Sequence, residues 1–281
     1  MMKQAVDKAE GKPAAAEDRY PLRSVGRALD VLQALGANSG KGMGVGEIAE
    51  AIGVSRSTAF TLLQTMVARG FVSDVRIGGA RLYRLGLALV HLGDLAVAEM
   101  GITQVATPIL QQLTDATQLT SRLAVLDDGY AVAIGRVDAP GPFRMTASLG
   151  RRELPHCSSV GKSLLCRLPE PQILAILARL GMPKRTEHTL TSPETLLADL
   201  REVARRGYSF DNEEDNLGVV CVGSAVFDRS GAAVAAISVT SMRLERSDTD
   251  LHHLGAVVRA FADRISHLLG GPAHSALPPL A

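Results

Sequence analysis

The sequence predicts an α+β protein: an N-terminal winged helix-turn-helix, a linker helix, and a larger C-terminal domain with an antiparallel sheet and flanking helices. Three observations predict it. Val45 to Gly70 reads VGEIAEAIGVSRSTAFTLLQTMVARG, two amphipathic helical patterns that meet at Gly53. Two short strand patterns around Gly78-Gly79 follow at once. After Thr120 the apolar period changes to two, and strand hairpins then alternate with helices.

The 281 residues, 46% of them hydrophobic, suffice for a small domain plus a medium one. The spacing predicts a disordered tail over 1–18, a DNA-facing module over 19–85, a linker helix over 86–101, a domain over 102–271 and a tail over 272–281. A net charge of +1 hides an uneven distribution: Arg19 to Leu85 holds nine Lys/Arg against four acids, and the remainder is net acidic. That split suits a basic module tied to a domain with another task. Cys157, Cys166 and Cys221 lie far apart without metal-ligand spacing, so no disulfide framework, structural zinc or cofactor is expected. The first eighteen residues resemble neither a signal peptide nor an anchor, and no run reaches 18 apolar residues. A cytoplasmic protein without a membrane partner is the expectation. With aromatics at 4% and no Trp, duplex DNA is favoured over stacked single strands.

Taken in order, Val25, Ala28, Leu29, Val31, Leu32 and Leu35 predict a helix with Ser24 as its N-cap, ended by the Gly-rich run 36–44. Val45, Ile48, Ala49 and Ile52 make the next helix, and Gly53 takes the positive φ that ends it. Ser55 is placed to cap a third helix whose stripe Ala59, Leu62, Leu63, Met66 and Val67 faces inward. Its other face carries Ser57, Thr58, Thr61, Gln64 and Thr65, with Arg56 at the start. These side chains and Ser55 are the candidates for phosphate and base-edge contacts in a major groove. The hairpin beyond Gly70 carries Arg76 and Arg81 at its tip and reads as a wing.

From Gly86 to about Thr117 the pattern is helical, and its apolar first piece predicts a linker with a dimer contact. Pro108 reads as lying in the first turns of the second piece. Strands are predicted at 120–126, 130–137 and 143–149, then helices near 159–168, 170–180 and 193–206. A hairpin of 219–227 with 233–240 precedes a last helix near 247–269.

Several candidate chemistries fail on spacing. Gly161-Lys162-Ser163 lacks the earlier glycine of a phosphate loop, since His156 stands there. Asp211 to Asn216 lacks the glycine and distal glutamate of a calcium loop and reads as a charged turn. His156-Cys157, read as strand neighbours, point to opposite faces. In 233–240, Val234, Ala236, Ser238 and Thr240 share a face, and Cys221 and Asp211 could lie near the two hydroxyls. A few polar groups on an apolar wall suit a small-molecule pocket, although a water-facing sheet fits the same pattern.

The stretches SVGRALDVL (24–32), IAEAIGVSRSTAFTLLQTMVARGFV (48–72), YRLG (83–86), LGRRELPHCSSVGKSLL (149–165), RRGYSFDNEEDNLGVVCVGSAVFD (205–228) and AAISVT (235–240) resemble the IclR family of bacterial transcriptional regulators. The resemblance implies a GAF-like C-terminal domain that binds a small organic effector, and dimers or dimers of dimers on palindromic operators. By motif position it puts effector contacts on Ser159, Val160, Asp211, Cys221, Ser238 and Thr240, with Met145 and Leu154 on an apolar wall. Thr61 stands where members of the family often carry Arg, and Thr240 where Ser is frequent. The function expected is operator binding controlled by a carboxylate or aromatic acid, held by the helix N-terminus at Ser159 together with Ser238 and Thr240. Two other readings stay open: a small-molecule-binding module without a DNA role, and an enzyme using Cys157 or Cys221.

Overall fold

A computed structural model describes residues 22–38, 41–99, 101–140 and 148–276. The expected tail 1–18, Met145, most of the strand expected at 143–149, and residues 277–281 lie outside the described residues. The chain forms two compact units that divide after Ala96.

In the first unit, α1 (Arg23–Ala37), α2 (Val45–Ala51) and α3 (Arg56–Ala68) pack Val31, Leu35, Ile48, Leu63 and Met66 together with Val72 and Tyr83 of a hairpin. That hairpin is β1 (Val72–Ile77) and β2 (Ala80–Leu85), antiparallel, with Arg76 opposite Arg81. Its turn places Gly78 at φ 58° and Gly79 at φ 84°, the two positive values of the tight turn that matches strand twist. The backbone of Met43 pairs with Tyr83 in an isolated antiparallel bridge. Ser24 is not the cap of α1. The amides of Val25 and Gly26 already donate to the Leu22 carbonyl, so the helix starts earlier and Ser24 sits inside it. The last helix to begin in this unit is α4 (Ala88–Glu99).

The second unit holds α5 (Ile102–Thr117), β3 (Thr120–Asp127), β4 (Tyr130–Val137), β5 (Arg152–Glu153), α6 (Ser159–Leu165), α7 (Glu170–Leu180), α8 (Pro193–Arg206), β6 (Ser209–Asn212), β7 (Val219–Phe227), β8 (Ala233–Met242) and α9 (Asp248–Leu268). The strands form one sheet in the order β5-β4-β3-β8-β7-β6, and every pairing is antiparallel. The strand alternation sorts the two faces. Val220, Val222, Ile237 and Val239 point to the side covered by α5 and α9, while Ala124, Ala131 and Ala236 meet Val160 and Leu164 of α6 on the other. Helices α7 and α8 close a further apolar cluster behind Leu165 of α6 and Cys166, which follows it.

Pro108 is the seventh residue of α5, inside the helix at the end of its second turn. Two short strands escaped the sequence reading, β5 and β6, at the two edges of the sheet. His274, in the expected C-terminal tail, is buried: its Nε2 lies 2.8 Å from the Ala204 carbonyl, and its amide donates to Asp263.

Candidate functional site

Helices α2 and α3 meet through Gly53, at φ 64°. Ser55 caps α3, its Oγ accepting the Thr58 amide at 3.2 Å and lying within hydrogen-bond distance of Ser57 Oγ at 2.9 Å and Thr58 Oγ1 at 2.8 Å. Ser57, Thr61 and Thr65 are exposed. The Thr61 hydroxyl donates to the Ser57 carbonyl and the Thr65 hydroxyl to the Thr61 carbonyl, both at 3.1 Å. Their protons are therefore spent within the helix. Gln64 is half-buried, with Nε2 enclosed and without a hydrogen-bond partner. Arg56 folds over the start of α2, where a Cβ on Gly46 would come within 2.6 Å of its guanidinium. On the wing Arg76 is exposed, whereas Arg81 is held by Asp74 at 2.7 Å. Phe60 was missed, since it falls between the inward stripe and the hydroxyl-bearing face; here it is 46% exposed on α3.

In the second unit a cavity of about 320 Å3 opens on the α6 face of the sheet, lined by Arg122, Arg151, Glu153, Ser158, Asp211, Asp215, Asn216, Val219, Cys221 and Thr240. Its floor follows from strand register. Asp211 stands opposite Cys221, Cys221 opposite Thr240, and Thr240 opposite Thr120. In the next row Gly223 faces Ser238 and Ser238 faces Arg122. Three residues expected at the site, Asp211, Cys221 and Thr240, thus line one cavity. Cys221 Sγ and Thr240 Oγ1 stand 3.4 Å apart.

Other expected residues lie elsewhere. Ser159, the first residue of α6, and Ser238, beneath that helix, are fully buried, each with a hydroxyl that lacks a partner. The reason is Gly223: with no side chain there, the backbone of Ser159 presses onto the sheet and a Cβ would stand 3.0 Å from it. Val160 packs into the alanine-lined cluster. Leu154 is half-buried outside the lining, and Met145 is outside the described residues. At the start of α6 the Gly161 amide is already bound by the Ser158 side chain at 3.1 Å, so that helix end offers less to an anion than the sequence suggested.

Apart from Asp211, the charged groups of the cavity were not foreseen. Arg122 is only 6% exposed, donates from Nη1 to Glu153 at 2.8 Å, and keeps a buried Nε without a partner. Burial opposes its charge, but Cys221, Glu153 and Asp211 together outweigh burial and hold its pKa above the ordinary value. Asp211 accepts the amides of Glu214 and Asp215 at 2.9 and 3.2 Å. Burial, reinforced by Glu214, pushes its carboxyl up to about 7. Next to the cavity, Lys162 is buried between Glu214 at 2.7 Å and Asp199 at 2.9 Å, tying α6 to α8 and to the turn after β6.

His156 and Cys157 occupy turns after β5, not the strand assumed from sequence. His156 Nε2 lies 3.3 Å from the Pro183 carbonyl. Burial pushes the Cys157 and Cys221 thiols up to about 12, far from thiolate chemistry.

Residues 24–75 match the IclR helix-turn-helix domain, and residues 95–267 match the family described as bacterial transcriptional regulator IclR C-terminal. The chain belongs to the IclR family. Among similar proteins, the acetate operon repressor of Salmonella typhimurium is 33% identical over 264 residues, covering 92% of this chain and 95% of its own. The IclR structure of Thermotoga maritima superposes with a TM-score of 0.74 at 28% identity, over 89% of this chain and all of that one. An IclR homolog of Microbacterium hydrocarbonoxydans, complexed with 4-hydroxybenzoate, shares the fold at a TM-score of 0.74 and 22% identity, over 88% of this chain and 98% of its own. The IclR-family chain described here is accordingly a helix-turn-helix transcriptional regulator whose first unit binds DNA.

Proposed function

We propose that a small organic carboxylate, aliphatic or aromatic, binds in the cavity of the second unit and shifts the DNA-competent population of this regulator. The observation that carries the reading is Arg122. A buried guanidinium that lines a cavity beside Thr240 is built to receive a carboxylate by charge-assisted hydrogen bonds. Asp211, with its carboxyl near 7, supplies a donor to a second oxygen of the ligand whenever it is protonated. The homolog holding 4-hydroxybenzoate supports the fold's capacity for such an acid.

Ser55, Arg56, Ser57, Thr58, Thr61, Gln64, Thr65, Arg76 and Arg81 are the proposed operator contacts. Self-association as a homodimer or dimer of dimers belongs to the same proposal, supported by the exposed Leu87, Val90, Leu92 and Leu95 in and beside α4. No helix among the described residues is long and apolar enough to cross a membrane, which accords with a cytoplasmic regulator. The high thiol pKa values favour a regulator without enzymatic activity over a cysteine-dependent enzyme.

The test is thermal unfolding of the full chain against a panel of carboxylic acids and their primary amides. A ligand at about 100 times its Kd stabilises by about 2.7 kcal/mol. The reading expects at least one acid to raise Tm while its amide does not, and expects Arg122→Met to remove the shift. Equal shifts by acid and amide, or none by any acid, would sink it.

A further inference from the structure

We propose that α3 reads thymine methyl groups, so that its specificity rests on A·T pairs met by Phe60, Thr61 and Thr65. The sequence suggested a face of hydrogen-bonding hydroxyls. The geometry gives that face a different chemistry. The Thr61 and Thr65 hydroxyls each donate their single proton to a carbonyl one turn back on the same helix. A hydroxyl so committed can still accept but no longer donates.

Major-groove edges offer mostly acceptors. The guanine N7 and O6, adenine N7 and thymine O4 all need a donor, and only adenine N6 and cytosine N4 supply one. Thr61 and Thr65 are therefore mismatched to guanine. An A·T pair meets them twice, through the adenine amino group for the accepting oxygen and the thymine methyl for the threonine methyl. Phe60, the residue before Thr61 on α3, adds an exposed apolar group of its own. Its phenyl group is 46% exposed, and an apolar side chain in a major groove has the thymine methyl as its partner. A separate observation agrees: Thr61 and Thr65 also line an apolar groove with Val25, Leu29 and Leu62, so the surroundings of both threonines are greasy. Guanine readout is left to Arg56.

The test starts from duplexes of random sequence, selected on the full-length protein until one site is enriched. Each thymine of that site is then replaced by deoxyuridine, which removes the methyl group and leaves pairing intact. Loss of one buried methyl should weaken binding about fourfold. At least one position in the enriched site should show that loss with the wild-type chain. Phe60→Ala, Thr61→Ser and Thr65→Ser should bind the thymine duplex more weakly and lose sensitivity to uracil at the thymine each one meets. Thr61→Val, which keeps the methyl and drops the hydroxyl, should retain that sensitivity. Circular dichroism melts of the variants separate a contact from a folding defect, since all three side chains are exposed. An enriched site without thymine, wild-type indifference to uracil throughout, or loss of thymine preference in Thr61→Val but not in Thr61→Ser would overturn the proposal, as would failure to enrich any sequence.

Discussion

Arg122 on β3 donates to Glu153 on β5 at 2.8 Å, and the two carry opposite charges into the same cavity with side chains only 7% and 16% exposed. The pair joins a central strand to an edge strand across β4. Removing one member leaves the other charge desolvated, whereas removing both is far less costly. Arg122→Met is expected to destabilise the chain by about 3 kcal/mol in urea unfolding, and Arg122→Met with Glu153→Gln to recover most of that loss. Equal destabilisation by the single and double variants would show that the pair does not act as a unit.

Asp211 makes stability depend on pH. Its carboxyl, near 7 in the fold against an ordinary value of 3.8, binds its proton more tightly folded than unfolded. Its contribution is therefore fully present below about pH 4 and is lost as pH rises toward 7. His156 and His274, whose pKa values are lowered chiefly by burial, work in the opposite sense, so the wild-type curve alone is ambiguous. The difference between wild type and Asp211→Asn isolates the carboxyl. Asparagine can still accept the Glu214 and Asp215 amides, and the difference curve should fall by on the order of 3 kcal/mol between pH 4 and 7. A flat difference would contradict the buried, proton-holding state.

Gly223 sets how closely α6 lies on the sheet. A Cβ there meets the Ser159 backbone at 3.0 Å and Ser163 Oγ at 3.1 Å, so Gly223→Ala should cost about 1–3 kcal/mol by overpacking. It should also change ligand affinity, because α6 adjoins the cavity wall. Chemical denaturation with a parallel ligand titration checks both.

Ser55→Ala removes the cap of α3 and should cost about 1 kcal/mol of stability. Ser55→Asp, which restores an accepting oxygen, should regain it while placing a negative charge near the DNA. Binding to duplex DNA should then fall below that of Ser55→Ala although the helix is better capped, a divergence visible by comparing Tm with anisotropy.

Local rules carried much of the fold. Gly53, Ser55 and the Gly78-Gly79 turn each demand a particular backbone, and the structure uses all three as the sequence implied. Period-two alternation sorted Ser238 and Thr240 onto one face of β8. It could not tell that Thr240 lines the cavity while Ser238 is sealed beneath α6, because that depends on Gly223 in another strand and Ser159 some sixty residues earlier. Arg122 escaped for a related reason. An arginine in an alternating strand reads as solvent-facing, and only the pairing of β3 with β8 and the cover of α6 make it a buried charge. Glu153 lies on a strand of two residues, too short to show any period.

The most direct test of effector control is the affinity of the full-length regulator for its selected duplex, followed by fluorescence anisotropy during titration with the carboxylate that raises Tm. Coupling free energies of about 1–3 kcal/mol predict a shift in operator affinity of roughly 5- to 150-fold for wild type, and none with Arg122→Met or with the amide of the same ligand. An operator affinity that stays constant while the carboxylate demonstrably binds would contradict the account.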